Sequence, residues 1–496
     1  MSLPSVLMKP RHNILRKGFH LSLMACKSAT TATATATVGK QCFSTRIVRD
    51  FQEPDLSSLK VDRKRFNDTL HDTCKFGTGQ RWGSGQTETG MCRLSLTDSD
   101  KEARDWFVQK TKSLGCQVTI DAMGNIFAVR PGRREAPPTF AGSHLDTQPR
   151  GGRYDGILGV LSGVEMLQVL NDHAIETEFP VGVVNWTNEE GARFPIIMVA
   201  SGVWSGRIPL ERAHQLQEVG SGKATMKSEL ERIGYLGATP ASHESTPMAA
   251  HFELHIEQGP ILETTGQKVG VVTTAQAYRW FTVEVKGQEA HTGTTPLSNR
   301  ADAMLLTSYL IVHSHRLATM HNAVATTGTI EVSPGSVNTI PGCVRFTLDV
   351  RAPADETLDK MESDMKRDFA SLAAGEDIGG LRSGGTRSKP LTVTWQTDAM
   401  NAATRFHPEC VDIVRASAVS VTGSDSLVRD MTSGAGHDSV YTNLRCPTSM
   451  IFVPSKDGIS HNPVEYTSPE DCATGAEVLL QSVIRYDRLR SEREAL

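Results

Sequence analysis

The sequence contains histidines and carboxylates of the kind that hold divalent metal ions. They are His144, Asp146, Asp155, Glu189, Glu190, His255, Glu257 and His461. Imidazole and carboxylate ligands without thiolates suit Zn²⁺, and also Mn²⁺, Co²⁺ or Ni²⁺. Of two adjacent glutamates, one can bind a metal ion while the other acts as general base on a bound water molecule. The set therefore indicates a metal centre that activates water.

Each part of this set also has a structural interpretation. A His-x-Asp pair such as His144 and Asp146 is more often structural, and two adjacent glutamates are usually solvated surface. In an extended chain, however, His144 and Asp146 share a face, so that the carboxylate can orient a metal-bound imidazole. The joint occurrence of these groups beside glycine turns and at predicted strand ends favours the metal site.

Two predicted strands run directly into these residues. Residues 139–142 form a predicted strand that leads to His144, and residues 181–186 form a buried one that leads to Glu189. A helix between them is predicted by apolar residues at helical spacing, namely Ile157, Val160, Leu161, Val164 and Leu167. Because open α/β sheets bind ligands at the carboxyl ends of their strands, we expect an α/β fold with the site at that edge.

The pattern changes from about residue 276. The predicted elements that follow are a strand at 280–286, a helix at 299–317, strands at 323–332 and 344–350, a helix at 357–373 and a strand at 391–395. This β-α-β-β-α-β order is the split ferredoxin-like motif. We therefore predict a leader at 1–50, a first domain in two parts at 56–275 and 393–490, and a second domain inserted at 276–392.

The predicted inserted domain carries residues that could receive a substrate. Arg351 lies on the polar face of an alternating strand, and an arginine can hold a carboxylate with two hydrogen bonds. His291 could stabilise charge that develops on an oxygen, and Asn338 adds an amide. The alternatives are an ion pair between Arg351 and Asp349, and a turn in which backbone groups satisfy His291.

Composition excludes several classes of protein. Lys and Arg number 52 against 56 Asp and Glu, which gives a net charge of −4 and argues against a dedicated nucleic-acid binder. No run approaches 18 apolar residues, so we expect no transmembrane helix. The nine cysteines are scattered without a CxxC pair, which argues against a disulfide scaffold or a cysteine zinc site.

The charge is distributed unevenly along the chain. Residues 1–49 contain eight basic residues and no acidic one, so subtracting them from the overall −4 leaves −12 for the remainder. This segment is also rich in Ser and Thr, with an alternating Thr-Ala stretch at 31–37. Such a composition is typical of a leader that directs a protein to the mitochondrial matrix. The alternative is a disordered tail without an address on a cytoplasmic protein.

Seven segments together resemble one family of enzymes. They are GSHLDT at 142–147, GGRYDGILG at 151–159, NEEGARF at 188–194, HIEQGP at 255–260, HTGTTP at 291–296, SGAGHD at 433–438 and SHNP at 460–463. The chain resembles the metal-dependent N-carbamoyl-L-amino-acid hydrolases, with β-ureidopropionase (β-alanine synthase) and allantoate amidohydrolase, within the dizinc aminoacylase and carboxypeptidase group. The likeness runs in order from about residue 60 to 488. Around His255 it is nearest to the fungal β-ureidopropionases.

The resemblance implies a role for each candidate ligand. Asp155 would bridge two divalent metal ions.

 His144 and His255 would complete one metal site, and Glu190 and His461 would complete the other. The likeness thus implies two divalent ions per subunit, with Zn²⁺ expected and Mn²⁺, Co²⁺ or Ni²⁺ as alternatives.

The resemblance also implies the catalytic and substrate-binding residues. Glu189 would be the general base and acid, and Asp146 would orient His144. The groups that would contact the substrate are Gln258, His291, Asn338, Arg351 and His437. In this family the residue that matches His291 reaches the active site of the partner subunit, so a homodimer is expected. The implied fold is a dizinc-peptidase-like catalytic domain with a central mixed sheet, plus the ferredoxin-like insertion as dimerisation and lid domain.

The activity that the resemblance implies is cleavage of the carbamoyl C–N bond of N-carbamoyl amino acids. N-carbamoyl-β-alanine, a compound of pyrimidine degradation, would yield β-alanine, CO₂ and ammonia. Allantoate amidohydrolase is an alternative because it shares the ligand set. His255 argues against ordinary peptidases and aminoacylases, which by resemblance use a carboxylate at this ligand position. A non-catalytic binding protein on the same fold is an alternative of another class, although every implied position holds the expected residue type.

The leader can be tested without the rest of the chain. Residues 1–50 fused to a fluorescent protein should colocalise with a mitochondrial marker, because a basic segment with no acid before Asp50 is what the import machinery accepts. A fusion in which the eight basic residues are replaced by glutamine is the matched control and should stay diffuse. Diffuse cytosolic fluorescence of the unaltered fusion would contradict the prediction.

Overall fold

The computed structural model describes residues 56–382 and 389–495. The predicted leader at 1–50 lies outside the described residues, as do residues 383–388. No helix in the described ranges combines the length and the apolarity needed to cross a bilayer.

The first part of the chain alternates strands and helices. Its elements are α1 (Arg63–Thr73), β1 (Thr78–Arg81), β2 (Thr89–Met91), α2 (Asp98–Ser113), β3 (Gln117–Ile120), β4 (Ile126–Arg130), β5 (Thr139–His144), α3 (Ile157–Asp172), β6 (Val181–Trp186), α4 (Val199–Trp204), α5 (Leu210–His214), α6 (Met226–Ile233), β7 (Ala250–Ile256), α7 (Ile261–Thr265) and β8 (Val269–Ala275).

The middle part of the chain holds longer strands. Its elements are β9 (Ala277–Lys286), β10 (Ala290–His291), α8 (Ala303–Met320), β11 (Val324–Thr326), β12 (Ile330–Ser333), β13 (Thr339–Ile340), β14 (Cys343–Ala352), α9 (Asp355–Ala374) and β15 (Thr392–Asn401). The last part comprises β16 (Thr404–Arg405), α10 (Pro408–Thr422), β17 (Val428–Ser433), α11 (Asp438–Thr442), β18 (Thr448–Val453) and α12 (Pro469–Ala495).

The first and last parts of the chain share one sheet. Of the strands in the described ranges, nine form it, in the order β16-β8-β18-β7-β5-β6-β4-β3, with β17 also paired to β8. Strands β5, β6 and β7 are parallel, whereas β3, β4 and β16 pair antiparallel to their neighbours. This arrangement confirms the predicted α/β fold with a central mixed sheet.

Both faces of this sheet are buried, which explains why its central strands are almost continuously apolar. In β6, Val181 and Val183 join the main core, whereas Val184 and Trp186 belong to a smaller aromatic cluster on the opposite face. Helices α1, α3, α10 and α12 pack together against the main core. The helical residues predicted between the two ligand-bearing strands lie on α3 and are buried there.

The middle part of the chain forms a second sheet with its own core. Among the described strands, five build it, in the order β11-β14-β9-β15 with β12 also paired to β14, and all pairs are antiparallel. Helices α8 and α9 cover one face, where Phe281, Val283 and Phe346 are buried. The opposite face carries Tyr278 and Arg351, which are paired in register.

The details of this second sheet differ from the sequence prediction in two places. The single strand predicted at 323–332 is two short strands, β11 and β12, because the three residues 327–329 lie opposite two residues of β14, 347 and 348, and interrupt the regular pairing. The predicted domain boundary at 392 falls on the first residue of β15, and that strand pairs with β9 as far as Asn401. The second sheet therefore extends nine residues past 392. The division into domains stays a prediction.

Candidate metal centre and active site

Three parallel strands bring most of the candidate ligands to one edge of the first sheet. His144 is the last residue of β5 and pairs in register with Trp186, the last residue of β6. Glu189 and Glu190 follow β6 directly, and His255 lies near the end of β7. Because β6, β5 and β7 are neighbours and run parallel, their carboxyl ends meet, as ligand sites in α/β sheets do.

Asp155 enters this edge from the loop that precedes α3. The next residue, Gly156, has a φ of 67° and begins the helix as its N-cap. A Cβ at Gly156 would lie 2.3 Å from the imidazole of His144. Both the left-handed backbone and this close approach require glycine, so the turn can place Asp155 against the histidine.

Within the described ranges, two groups of side chains could each hold a metal ion, and Asp155 belongs to both. The first group is His144, Asp155 and His255, and the second is Asp155, Glu190 and His461; within each group, potential ligand atoms lie within 4.8 Å of one another. Oδ1 of Asp155 lies 3.1 Å from His255 Nε2, and its Oδ2 lies 3.3 Å from His461 Nε2. The two oxygens of one carboxylate therefore face different groups, as a bridging ligand requires.

The histidines of the first group have the tautomer that a metal ligand needs. Nδ1 of His144 lies 2.9 Å from the carbonyl oxygen of Asp146, and Nδ1 of His255 lies 2.9 Å from that of Ile256. A proton on each Nδ1 satisfies these carbonyls and leaves a lone pair on Nε2. No described residue provides a hydrogen-bond partner for the buried Nε2 of His144. A cation between Nε2 and the nearby carboxylates fits this arrangement.

The Asp146 carboxylate has a different partner from the one that the resemblance implies. Its backbone carbonyl orients His144, while its Oδ1 lies 3.9 Å from Nδ1 of that histidine. The carboxylate instead accepts the backbone N–H groups of Glu189 at 3.2 Å and Glu190 at 3.3 Å. Asp146 therefore positions both the histidine and the loop of the two glutamates.

The site buries more negative charge than its own histidines balance. Burial raises the pKa of Glu190 to about 7, and the charge of Asp155 adds to this effect. Burial also raises the pKa of Glu189 well above its usual range, together with the charges of Asp438 and Glu190. Divalent cations would stabilise the ionised carboxylates. The electrostatics and the donor set therefore both fit metal ions.

A cavity of about 190 Å³ opens beside these ligands. Its lining includes the candidate ligands and base Asp155, Glu189, Glu190, His255 and His461, the candidate substrate contacts Gln258, Arg351 and His437, and also Gln148, Ile197, Trp280, Ala435 and Gly436. Arg351 comes from the second sheet and the ligands come from the first. The cavity therefore brings the predicted carboxylate-binding group next to the predicted metal centre.

The three substrate candidates in the cavity have defined partners. Nε2 of Gln258 donates to Oδ2 of Asp155 at 2.7 Å. Arg351 donates to Asp349, so the alternative ion pair is present, and it also donates to the Gly434 carbonyl at 2.9 Å. Burial and the adjacent His255 lower the pKa of His437 to about 3, which keeps its imidazole neutral.

The other two substrate candidates lie together but elsewhere. Neither His291 nor Asn338 is among the described residues that line the cavity. His291 lies on β10, which pairs with β13, and the N–H of Thr292 donates to the carbonyl of Asn338 at 3.1 Å. Nδ1 of the exposed His291 accepts the N–H groups of Gly293 at 3.0 Å and Thr294 at 3.2 Å. The proton of the neutral ring therefore lies on Nε2.

Some residues of the site were not found by reasoning from the sequence. Gln148 donates to Glu190 from both its backbone N–H and its side chain, and Trp280 lines the cavity. Trp280 belongs to the polar face of an alternating strand, the same signal that indicated Arg351. Glu465 was visible only as part of the segment that contains His461, and it contacts the loop of Asp155.

Comparisons with known proteins agree with this geometry. Residues 140–485 match the model of peptidase family M20/M25/M40. An N-carbamoyl-L-amino-acid amidohydrolase of Rhizobium meliloti is 38% identical over 428 residues, which cover 86% of this chain and 96% of the relative. An allantoate amidohydrolase of Bacillus subtilis is 28% identical over 79% of this chain and 91% of its own length.

A solved structure supports the same assignment. An amidase of the hydantoinase/carbamoylase family from Burkholderia vietnamiensis matches with a TM-score of 0.74 and 45% identity, over 86% of this chain and 98% of the other. The chain therefore belongs to peptidase family M20/M25/M40, and it is a hydrolase similar to members that are named N-carbamoyl-L-amino-acid amidohydrolase.

Proposed function

We propose that this protein is a dinuclear-metal amidohydrolase that cleaves the carbamoyl C–N bond of N-carbamoyl amino acids such as N-carbamoyl-β-alanine. The observation that carries the proposal is the cavity in which two ligand groups share Asp155 beside Glu189 and Arg351. The named Rhizobium relative supports the substrate class. The products are the amino acid and carbamate, which breaks down to CO₂ and ammonia.

The two groups of ligands would hold two divalent ions, for which the histidine and carboxylate donors suit Zn²⁺. His144 and His255 would hold one ion, Glu190 and His461 would hold the other, and Asp155 would contribute to both sites. When bound, the ions acidify a water molecule and polarise the ureido carbonyl. The remaining steps depend on the side chains of the protein itself.

Glu189 is the proposed proton carrier. Its carboxylate lines the cavity, and its Oε2 lies 3.5 Å from His144 Nε2, while its backbone is held by Asp146. It accepts the proton of the attacking water and then delivers a proton to the amino nitrogen as the C–N bond breaks. Glu190, which faces Gln148 and His461, is held away from this task.

Arg351 is the proposed anchor for the carboxylate of the substrate. Asp349 and the carbonyl of Gly434 fix its guanidinium, which also lies 5.9 Å from the ring of Tyr278. A guanidinium held in this way can bind a carboxylate with two hydrogen bonds and thereby set which carbonyl reaches the metal ions.

We also propose a homodimer in which His291 and Asn338 complete the site of the partner subunit. Both lie outside the cavity of their own chain, and the Nε2–H of His291 is a donor suited to an oxyanion. The second sheet and α8 also expose apolar side chains that a dimer could cover, namely Leu305, Val312, Val324, Ile330 and Val332.

Hydrolysis of allantoate is the second candidate, because the Bacillus relative that bears this name is similar over most of its length. Ammonia release should be measured with N-carbamoyl-β-alanine, N-carbamoyl-L-amino acids and allantoate, each with and without a chelator. We expect the highest kcat/KM with an N-carbamoyl amino acid and loss of activity on metal removal. A preference for allantoate would favour the second candidate, and no release from any of them would contradict both.

The roles of the two adjacent glutamates can be separated by substitution. Glu189→Gln should retain two metal ions per chain but lose turnover by at least about 100-fold, because no side chain moves the proton. Glu190→Gln is the matched control and should lose metal, because it removes a ligand. Metal content and kcat are measured on both variants. Near-normal turnover of Glu189→Gln would refute its role.

Catalysis across the dimer can be tested by mixing two inactive variants. His291→Ala and Glu189→Gln chains are unfolded together and refolded, so that half of the dimers are hybrids with one complete site. If His291 acts in the partner's site, activity should return to about one quarter of the wild-type value for a symmetric dimer. Each variant refolded alone is the control. Absence of recovery in verified hybrid dimers would contradict action across the interface.

A further inference from the structure

Glu465 links two loops that each carry a candidate metal ligand. It is 3% exposed and lies four residues after His461. Its Oε1 accepts the backbone N–H of Tyr154 at 3.0 Å and that of Asp155 at 3.1 Å. One carboxylate on the loop of His461 therefore fixes the backbone of the loop that presents Asp155.

The other carboxylate oxygen of Glu465 lies next to the Ser460 hydroxyl, which also contacts the carboxylate of Asp155. Oγ of Ser460 lies 2.9 Å from Oε2 of Glu465 and 3.0 Å from Oδ2 of Asp155. Nε2 of Gln258 donates to the same Oδ2 at 2.7 Å and lies 3.1 Å from the hydroxyl. Glu465 thus contacts Asp155 at its backbone directly and at its carboxylate through Ser460.

The loop of Asp155 leaves room for this carboxylate. A Cβ on Gly152 would lie 2.1 Å from Oε1 of Glu465 and 2.3 Å from its Cδ. No side chain fits at position 152 unless Glu465 moves. The second glycine of the 151–159 segment is therefore explained by Glu465 rather than by the metal ligands themselves.

The two proposed metal sites differ in how their histidines are supported. His144 and His255 lie on strands, and each Nδ1 is held by a backbone carbonyl. The side chain of His461 is 51% exposed, lies on a loop, and has a left-handed φ of 53°. The second site therefore depends more on contacts that hold this loop in place.

We propose that Glu465 is a positioning residue that sets the separation of Asp155 and His461 and so maintains the second metal site. The inference rests on the proposed dinuclear centre, because it assigns a role within that centre. Loss of the carboxylate should loosen the loop of His461 and leave the site of His144 and His255 intact. Groups that orient metal ligands typically change metal affinity by about 10–100-fold.

The test is zinc binding to full-length protein that has been stripped with a chelator and dialysed. Isothermal titration with Zn²⁺ should show two sites in the wild type. Glu465→Ala, which removes the acceptor oxygens, should keep one site of wild-type affinity and weaken the other by at least about 10-fold. Asp487→Ala is the matched control, since Asp487 is a buried carboxylate that likewise accepts two backbone N–H groups, from Glu178 and Phe179, but lies on α12. It should bind two zinc ions normally.

Ser460→Ala is a second variant that removes only the hydroxyl link, and it should weaken the same single site by a smaller factor. Thermal unfolding of each stripped protein reports the structural effect separately. Two undisturbed zinc sites in Glu465→Ala would overturn the inference, and so would parallel loss of both sites with a lowered Tm. A wild type that does not bind two zinc ions would instead contradict the proposed centre.

Discussion

The carboxylate of Asp155 is the group on which the rest of the site depends, because both sets of candidate ligands contain it. It is buried, and it faces His144 and His255 through one oxygen and His461 through the other. Although burial opposes ionisation, His255 and the hydrogen bonds of the histidines hold the pKa of Asp155 well below its usual range. A buried charge is costly unless it is paired. Two cations on its two oxygens would satisfy this requirement and define the reaction centre at the same time.

The strand ends and loops of the first sheet, rather than its apolar core, bring the other candidate ligands to Asp155. Parallel neighbours β5, β6 and β7 end at one edge, so ligands far apart in sequence meet there without any long loop. Asp155 itself comes from a turn that tolerates no side chain at Gly156 and none at Gly152, because His144 and Glu465 occupy that space. The candidate metal centre is therefore formed by residues at strand ends and by a turn whose glycine backbone lies directly against His144 and Glu465. The apolar core beneath it keeps the strands in register.

Reasoning from the sequence reached the α/β fold, the strand ends and the ligand types, because these leave periodic or compositional signals. It could not identify which atom of a residue makes a contact. Asp146 was expected to orient His144 with its carboxylate, but the backbone carbonyl does so. Glu465 had no signal of its own, since a buried carboxylate in an irregular segment looks like a surface residue. Trp280 carried the same signal as Arg351, the polar face of an alternating strand, but that pattern does not tell a cavity-facing indole from an exposed one. The pairing of β15 as far as Asn401 was also missed, because its outward residues are mostly polar.

Arg351 connects the second sheet to the first, and this contact holds a guanidinium beside the candidate metal ligands. Its guanidinium donates to Asp349 on its own strand and to the carbonyl of Gly434, which follows β17 of the first sheet. A carboxylate bound there would compete with Asp349 for the same N–H groups, while the contact to Gly434 would keep the guanidinium in place. Trp280, which like Arg351 lies on the second sheet, also forms part of the cavity wall. The second sheet therefore contributes a fixed guanidinium and an indole to a cavity whose candidate metal ligands come from the strand ends and loops of the first sheet.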